Sequence, residues 1–205
     1  MKVLVIAETN WIEDIALAQD LRSAYLLQLK DEGKINIAVP AYSLHEADGS
    51  LDKKITKRVE EIDNFLHFLD RVAQSKPYES ICSIVKNALK ELKAKSLEER
   101  GEIKRVLNKI EMSVDVIPYT MTAALNADLR FESSRAPFKG ADCRIYESIL
   151  EYIRNKGSEY DIKVFYTADR EDFDNEMIYA ELEDIEVELY FDAGAVVERV
   201  YEELA

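Results

Sequence analysis

Carboxylates stand at the places in this chain where short apolar runs end. Glu8 closes the run VLVIA in the segment ETNW, and Asp169 and Asp172 follow the run IKVFYT in TADRED. Glu46 lies six residues beyond Pro40, which closes the run IAVP, and Asp142 opens the segment CRIYESIL. A carboxylate supplies the hard oxygen ligands that Mg²⁺ or Mn²⁺ prefer. Four or five of them gathered at one place would repel each other unless cations sat between them. An acid at any single position means little, since 41 of 205 residues are Asp or Glu. The question is whether the surrounding elements bring these acids to one edge.

The hydrophobic pattern places them at strand ends and helix starts. Residues 2–7 read as a strand that is apolar on both faces, which a parallel sheet covered by helices requires. Residues 11–30 carry apolar side chains at helical spacing, ended by Gly33 in a left-handed cap position. Residues 35–39 form a second strand, and Pro40 opens a helix, where its missing N–H costs nothing. Apolar stripes predict a long helix over 52–74 and another from Ile81 to Leu92. The capping-box spacing of Ser96 and Glu99 predicts a new helix start. Residues 114–117 are a strand, 140–155 a helix stopped by Gly157, 162–167 a strand, 185–191 a fifth strand and 193–204 a last helix. The acidic stretch EMIYAELEDIEVELY reads as a solvated sheet edge. Strands that alternate with helices give a mostly parallel sheet with helices on both faces, and sites in such sheets lie beyond the carboxyl ends of the strands.

Four local sequences, in order, resemble the motifs of PIN-domain nucleases. ETNW resembles the family's opening motif, with Glu8 where Asp is commoner. IAVPAYSLHE resembles the second, a strand, Pro and a helix carrying an acid, here Glu46. KGADCRIYESIL resembles the third, with Asp142 opening an apolar helix. VFYTADREDF is similar to the fourth, with Asp169 as its first acid and Asp172 as its second. The resemblance covers the chain outside residues 50–112. It implies a single three-layer α/β domain over residues 1–205, with a parallel sheet of about five strands ordered 3-2-1-4-5 and a helical insertion at about 50–112.

The same resemblance implies a metal-dependent ribonuclease using Mg²⁺ or Mn²⁺ to hydrolyse phosphodiester bonds in single-stranded RNA. Glu8, Asp142 and Asp169 would be inner metal ligands with Glu46 beside them. Asp172 would complete the catalytic cluster at its margin, and Asn10 and Thr167 would orient ligands or water. A toxin paired with an antitoxin protein is one role this implies. The alternative is a PIN-like module that binds RNA or protein without cutting. Oligomeric state is open, a homodimer included. A nucleotide-binding or phosphoacceptor domain lacks support, because no Gly-rich loop follows the first strand and the chain has only six glycines.

Charge and composition set further bounds. The net charge is −14, so a basic coat for nucleic acid is excluded, while a local basic face is not. Residues 169–205 hold 14 acids and two bases, whereas residues 83–110 hold eight bases and four acids. Lys86, Lys90 and Lys93 in that stretch, with Arg135 and Lys139 in the loop SSRAPFKG before Asp142, are the candidate RNA contacts. Trp11 and Tyr119 could stack on bases, although packing is the commoner role of such residues. His45 adjoins Glu46, and His67 and Cys143 read as structural. Cys82 and Cys143 have no metal-ligand spacing, which fits a reducing cytoplasm. No apolar run reaches the roughly 20 residues of a membrane helix, and the N-terminus lacks the features of a signal peptide.

Overall fold

The computed structural model describes residues 1–204. Five strands form one parallel sheet: β1 (Val3–Ala7), β2 (Asn36–Pro40), β3 (Asp115–Ile117), β4 (Ile162–Tyr166) and β5 (Glu188–Tyr190). Their order is β3-β2-β1-β4-β5, the expected order, with VLVIA in the centre. Val5 pairs with Ile37 on one side and Val164 on the other. Every residue of β1 is buried, which explains why its sequence shows no polar alternation.

The pleat divides the core into two layers. Leu4 and Ile6 face α6 (Gly140–Lys156) and α8 (Glu176–Glu183), in a cluster with Phe165, Ile149, Phe173 and Ile178. Burying an aliphatic side chain of this size contributes about 1.5–3 kcal/mol. The opposite face is covered by α1 (Thr9–Ala16), α2 (Leu21–Asp31) and α9 (Ala193–Leu204), which contact one another and the strands. α5 (Met121–Glu132) packs on α6 through Ala123 and Ala127. The short α7 (Arg170–Phe173) follows β4. The long helices α3 (Ala41–Val72) and α4 (Glu79–Ser113) complete the α-helices, with short 3-10 turns at Lys76–Tyr78 and Gly157–Glu159.

The chain forms two compact units. One holds the sheet and comprises Met1–Ala47 and the segment from Leu107 onward; the other is Asp48–Val106. The second is an antiparallel helical hairpin. Asp52 meets Arg100, Asp63 meets Lys93 and Asp70 meets Lys86, at 3.0, 2.6 and 2.6 Å. Leu51, Ile55, Ile62 and Leu69 supply its buried stripe. No helix among the described residues is long and apolar enough to cross a membrane.

Four local expectations are corrected. The helix expected over 11–30 breaks after Ala16, with Ala18 in a left-handed conformation (φ 51°). Asp20 then caps α2 by accepting from the Arg22 amide at 2.8 Å, a local bond that competes with continuing the helix. The helix expected over 52–74 starts at Ala41 instead. Gly49 costs about 1 kcal/mol relative to Ala there, while buried Ala47 and Leu51 on either side hold the helix through it.

The capping box at Ser96 is not formed. α4 runs through it, and the Ser96 hydroxyl donates to the Leu92 carbonyl at 2.9 Å. A cap needs non-helical backbone at that residue, and the helix formers on either side carry α4 through both Ser96 and Gly101. Finally, the acidic stretch expected as a sheet edge begins as α8, capped by Asn175, before turning into β5. α5 had no counterpart in the sequence reading.

Candidate metal centre

Three strand ends and two helix starts meet at the carboxyl edge of the sheet. β1 delivers Glu8, which is the N-cap of α1. β4 delivers Thr167 and then Asp169, which is the N-cap of α7 and accepts from the Asp172 amide at 3.2 Å. Asp142 lies in the first turn of α6 and Glu46 in the second turn of α3. The N-terminal end of a helix favours negative charge, so α6 and α7 each help hold an acid in place.

Carboxylate oxygens of Asp142, Asp169 and Asp172 lie within 4.8 Å of one another. Asp172 therefore belongs to the innermost group rather than to a margin, and its residue is 3% exposed. Glu46 is in electrostatic reach of both Asp142 and Glu8, and raises the pKa of each. Glu8 itself is 4% exposed. Its Oε1 accepts from Asn10 Nδ2 at 2.5 Å and from Thr167 Oγ1 at 3.1 Å. Thr167 Oγ1 also accepts from the Asp169 amide at 3.0 Å, so one hydroxyl links the acids of β1 and β4. Thr9 Oγ1 donates to Glu46 Oε2 at 2.6 Å and orients the fourth acid.

The titration behaviour follows from this crowding. Asp142 is pushed up to about 7, first by burial and then by the charges of Asp172, Asp169 and Glu46, with Lys139 opposing. The Glu8 pKa is raised by burial, against its bonds to Asn10 and Thr167. Lys139 is raised by its bond to Asp172. Its ammonium sits on Asp172 Oδ2, with Asp169 Oδ2 at 3.6 Å and Glu171 Oε2 at 3.8 Å. An all-oxygen donor set with an ammonium drawn into it is a place that takes a cation, and the donor chemistry suits Mg²⁺ or Mn²⁺.

Most of the other candidate residues have partners of their own. Arg135 pairs with Glu181 at 2.5 Å, not with the aspartates. Lys86 and Lys93 are engaged by Asp70 and Asp63 within the helical hairpin, while exposed Lys90 makes no ion pair among the described residues. Trp11 is fully buried and donates to the Ser23 carbonyl at 3.2 Å, so its ring is packing. Cys143 is buried, donates to the Pro137 carbonyl, and is pushed up to about 11 by burial. His67 is exposed. Exposed His45 stands edge-on to Tyr42 with ring centroids 6.5 Å apart.

Sequence reasoning placed Lys139 near the site but not inside the acid cluster. The available signal was its position three residues before Asp142, at the N-cap of α6. It also missed Arg130, whose buried guanidinium joins Glu147 on α6 and Glu181 on α8. No spacing in the sequence announces a pair between residues so far apart.

The family described as PIN domain matches residues 5–173 of this chain. No curated protein gives a significant match. Among solved structures, the crystal structure of VapBC2 from Rickettsia felis bound to a DNA fragment from their promoter is similar over 92% of this chain and 98% of that one, at 10% identity and a TM-score of 0.46.

Proposed function

From the premise that the chain belongs to the PIN-domain family, matched over residues 5–173, we propose that it is a metal-dependent ribonuclease that hydrolyses phosphodiester bonds of single-stranded RNA. The observation that carries this reading is the trio Asp142, Asp169 and Asp172, with oxygens within 4.8 Å and an ammonium already drawn onto it. These three, with Glu8 and Glu46, would hold Mg²⁺ or Mn²⁺. When bound, such an ion polarises the phosphoryl oxygens and lowers the pKa of its water.

The chain's own groups do the positioning. Asn10 and Thr167 fix Glu8 through one oxygen, and Thr9 fixes Glu46. Thr167 also holds the backbone at Asp169, so the first and fourth strands present their acids in fixed register. Outer partners of this kind commonly account for 10–100-fold in metal affinity. Asp142, pushed up to about 7, is only partly ionised near neutral pH in the metal-free protein, so a bound cation would compete with its proton. Lys139 balances the acids and stands beside Asp172, where it can meet a phosphate oxygen once a metal occupies the trio. A toxin acting with a protein antitoxin belongs to this reading, and a small protein retained through purification from the native source would support it.

The test is cleavage of several single-stranded RNAs with Mg²⁺ or Mn²⁺, together with the melting temperature in Mn²⁺. Cleavage abolished by EDTA and by Asp142→Asn is the expected result. A ligand that binds only the folded state stabilises it by RT ln(1 + [L]/Kd), so Mn²⁺ should raise Tm in wild type and much less in Asp142→Asn. Wild type that is inert, with a melting temperature unmoved by Mn²⁺, would replace this reading with a non-catalytic binding module.

A further inference from the structure

Resting on the nuclease reading, we propose that Tyr42, Tyr119 and Arg144 form a nucleobase-stacking subsite beside the carboxylate cluster, which holds one base of a single-stranded RNA. Three elements build it at the same sheet edge. Tyr42 follows the end of β2 by two residues, Tyr119 follows the end of β3 by two, and Arg144 opens the second turn of α6. The Tyr42 and Tyr119 rings are 5.9 Å apart at 58°, and the Arg144 guanidinium lies 5.5 Å from the Tyr42 ring centroid.

The subsite borders the acids through two helices. Tyr42 and Glu46 are four residues apart on α3 and so share one helix face, about 5–6 Å apart at Cβ. On α6, Asp142 and Arg144 flank Cys143, which is fully buried. One side of that turn thus carries the acid of the cluster and the other carries the guanidinium of the aromatic group. A chain that places a phosphate at the acids brings a neighbouring base over the tyrosines.

Tyr42 packs in part on the hydrophobic core, and two features leave the rest of the group available to a ligand. Tyr119 is 37% exposed, leaving ring surface open to solvent. Arg144 makes no ion pair among the described residues, in a chain with 41 acids. Its hydrogen bond goes to the uncharged Tyr42 hydroxyl, at 2.9 Å. Compare Arg130, Arg135 and Arg199, each of which is held by carboxylates. A guanidinium bonded first to a hydroxyl and laid against an aromatic ring, with Asp128 acting on it only through space, retains donors for a base edge or a phosphate oxygen. Single-stranded RNA is recognised in this way, by aromatic rings and arginine planes that stack on splayed bases.

Binding separates this proposal from catalysis. The full chain carrying Asp142→Asn is titrated in Mg²⁺ with labelled oligouridylate, and with an abasic ribose-phosphate oligomer of equal length, by fluorescence anisotropy. Oligouridylate should bind about 10-fold more tightly. Tyr119→Leu should bring that ratio close to one while leaving abasic affinity unchanged. Tyr119→Phe should keep the preference, since it retains the ring, and Arg144→Lys should lose most of it, since it loses the plane. Equal affinity for the two polymers, no binding of either, or a preference that survives Tyr119→Leu overturns the subsite. RNA cleavage by wild type without base preference leaves the nuclease standing and removes the subsite. Base preference in a protein that cuts nothing does the reverse.

Discussion

Asp142 is the residue on which burial and repulsion act most visibly. Its pKa rises from an ordinary aspartate value to about 7 in the fold. The folded state therefore binds this proton more tightly than the unfolded chain. Its stabilising contribution is complete below the unfolded pKa, near 3.9, and is lost as pH rises through about 7. Above that, the ionised carboxylate destabilises the metal-free protein. Asp142→Asn removes the ionisation and keeps the shape. In EDTA it should raise Tm by a few degrees at pH 8, corresponding to about 1 kcal/mol after solvent screening, and change it little at pH 4.5. Thermal melts of both proteins across that range decide the matter; an equal shift at all pH values would mean that the gain is not electrostatic. Glu8 differs in kind, since Asn10 and Thr167 both bond its carboxylate. That support explains how a Glu can stand buried at this strand end.

At the scale of elements, what matters is which local signals the chain obeys. Asp20 and Gly33 act as their residue types suggest, as an N-cap and a left-handed terminator at φ 72°. Ser96 does not. It has the residues of a capping box but lies inside 35 residues of continuous helix. Its hydroxyl only returns a bond to the Leu92 carbonyl. Ser96 is buried, but its back-bond adds little to a helix and Ala is the better helix former, so Ser96→Ala should shift stability by no more than about 0.5 kcal/mol in urea unfolding. The loss of a working cap would cost about 1 kcal/mol, and a loss of that size would argue that α4 is two helices in solution. The elements at the metal centre show the opposite case. Asp169 is at once a helix cap and a member of the aspartate trio, so the helix start and the site are made by the same bond to the Asp172 amide.

At the scale of the molecule, Arg130 ties three helices of the sheet-bearing unit together. It rises from α5, donates to Glu147 on α6 at 2.6 Å and to Glu181 on α8 at 2.8 Å, and lies 4.8 Å from the Tyr146 ring centroid. The Arg130 and Glu147 side chains are 4% and 8% exposed. Removing one partner of such a pair leaves an unbalanced buried charge, at a cost of about 3–5 kcal/mol. Arg130→Met should accordingly lower Tm by roughly 10 °C, and adding Glu147→Leu should recover much of the loss. Failure of the second change to recover stability would assign the cost to packing rather than to charge. The strong acidity of the C-terminal segment is used in the same way: Glu188 and Glu203 both bond Arg199. The charge runs of the sequence thus serve partly as internal ion pairs, and the basic stretch in the helical hairpin behaves likewise at Lys86 and Lys93.

The sheet and its acidic edge were legible in the sequence because both rest on short-range rules. Apolar runs such as VLVIA and IKVFYT mark buried strands, and a parallel sheet puts the carboxyl ends of its strands at one edge. Glu8, Asp142 and Asp169 could therefore be located from strand ends and helix starts, and the order of the motifs pointed to the family. What only the tertiary structure decided were pairings between distant residues whose partners share no spacing. These are the closeness of Asp172 to Asp142, the ammonium of Lys139 among the aspartates, the Thr167 bridge from β4 to Glu8, and Arg130 with Glu147 and Glu181. The same holds for Arg144, whose neighbour Tyr42 is 102 positions away. Periodicity assigns a side chain to a face of its own element; which acid meets which base across elements depends on packing distances that no local pattern encodes.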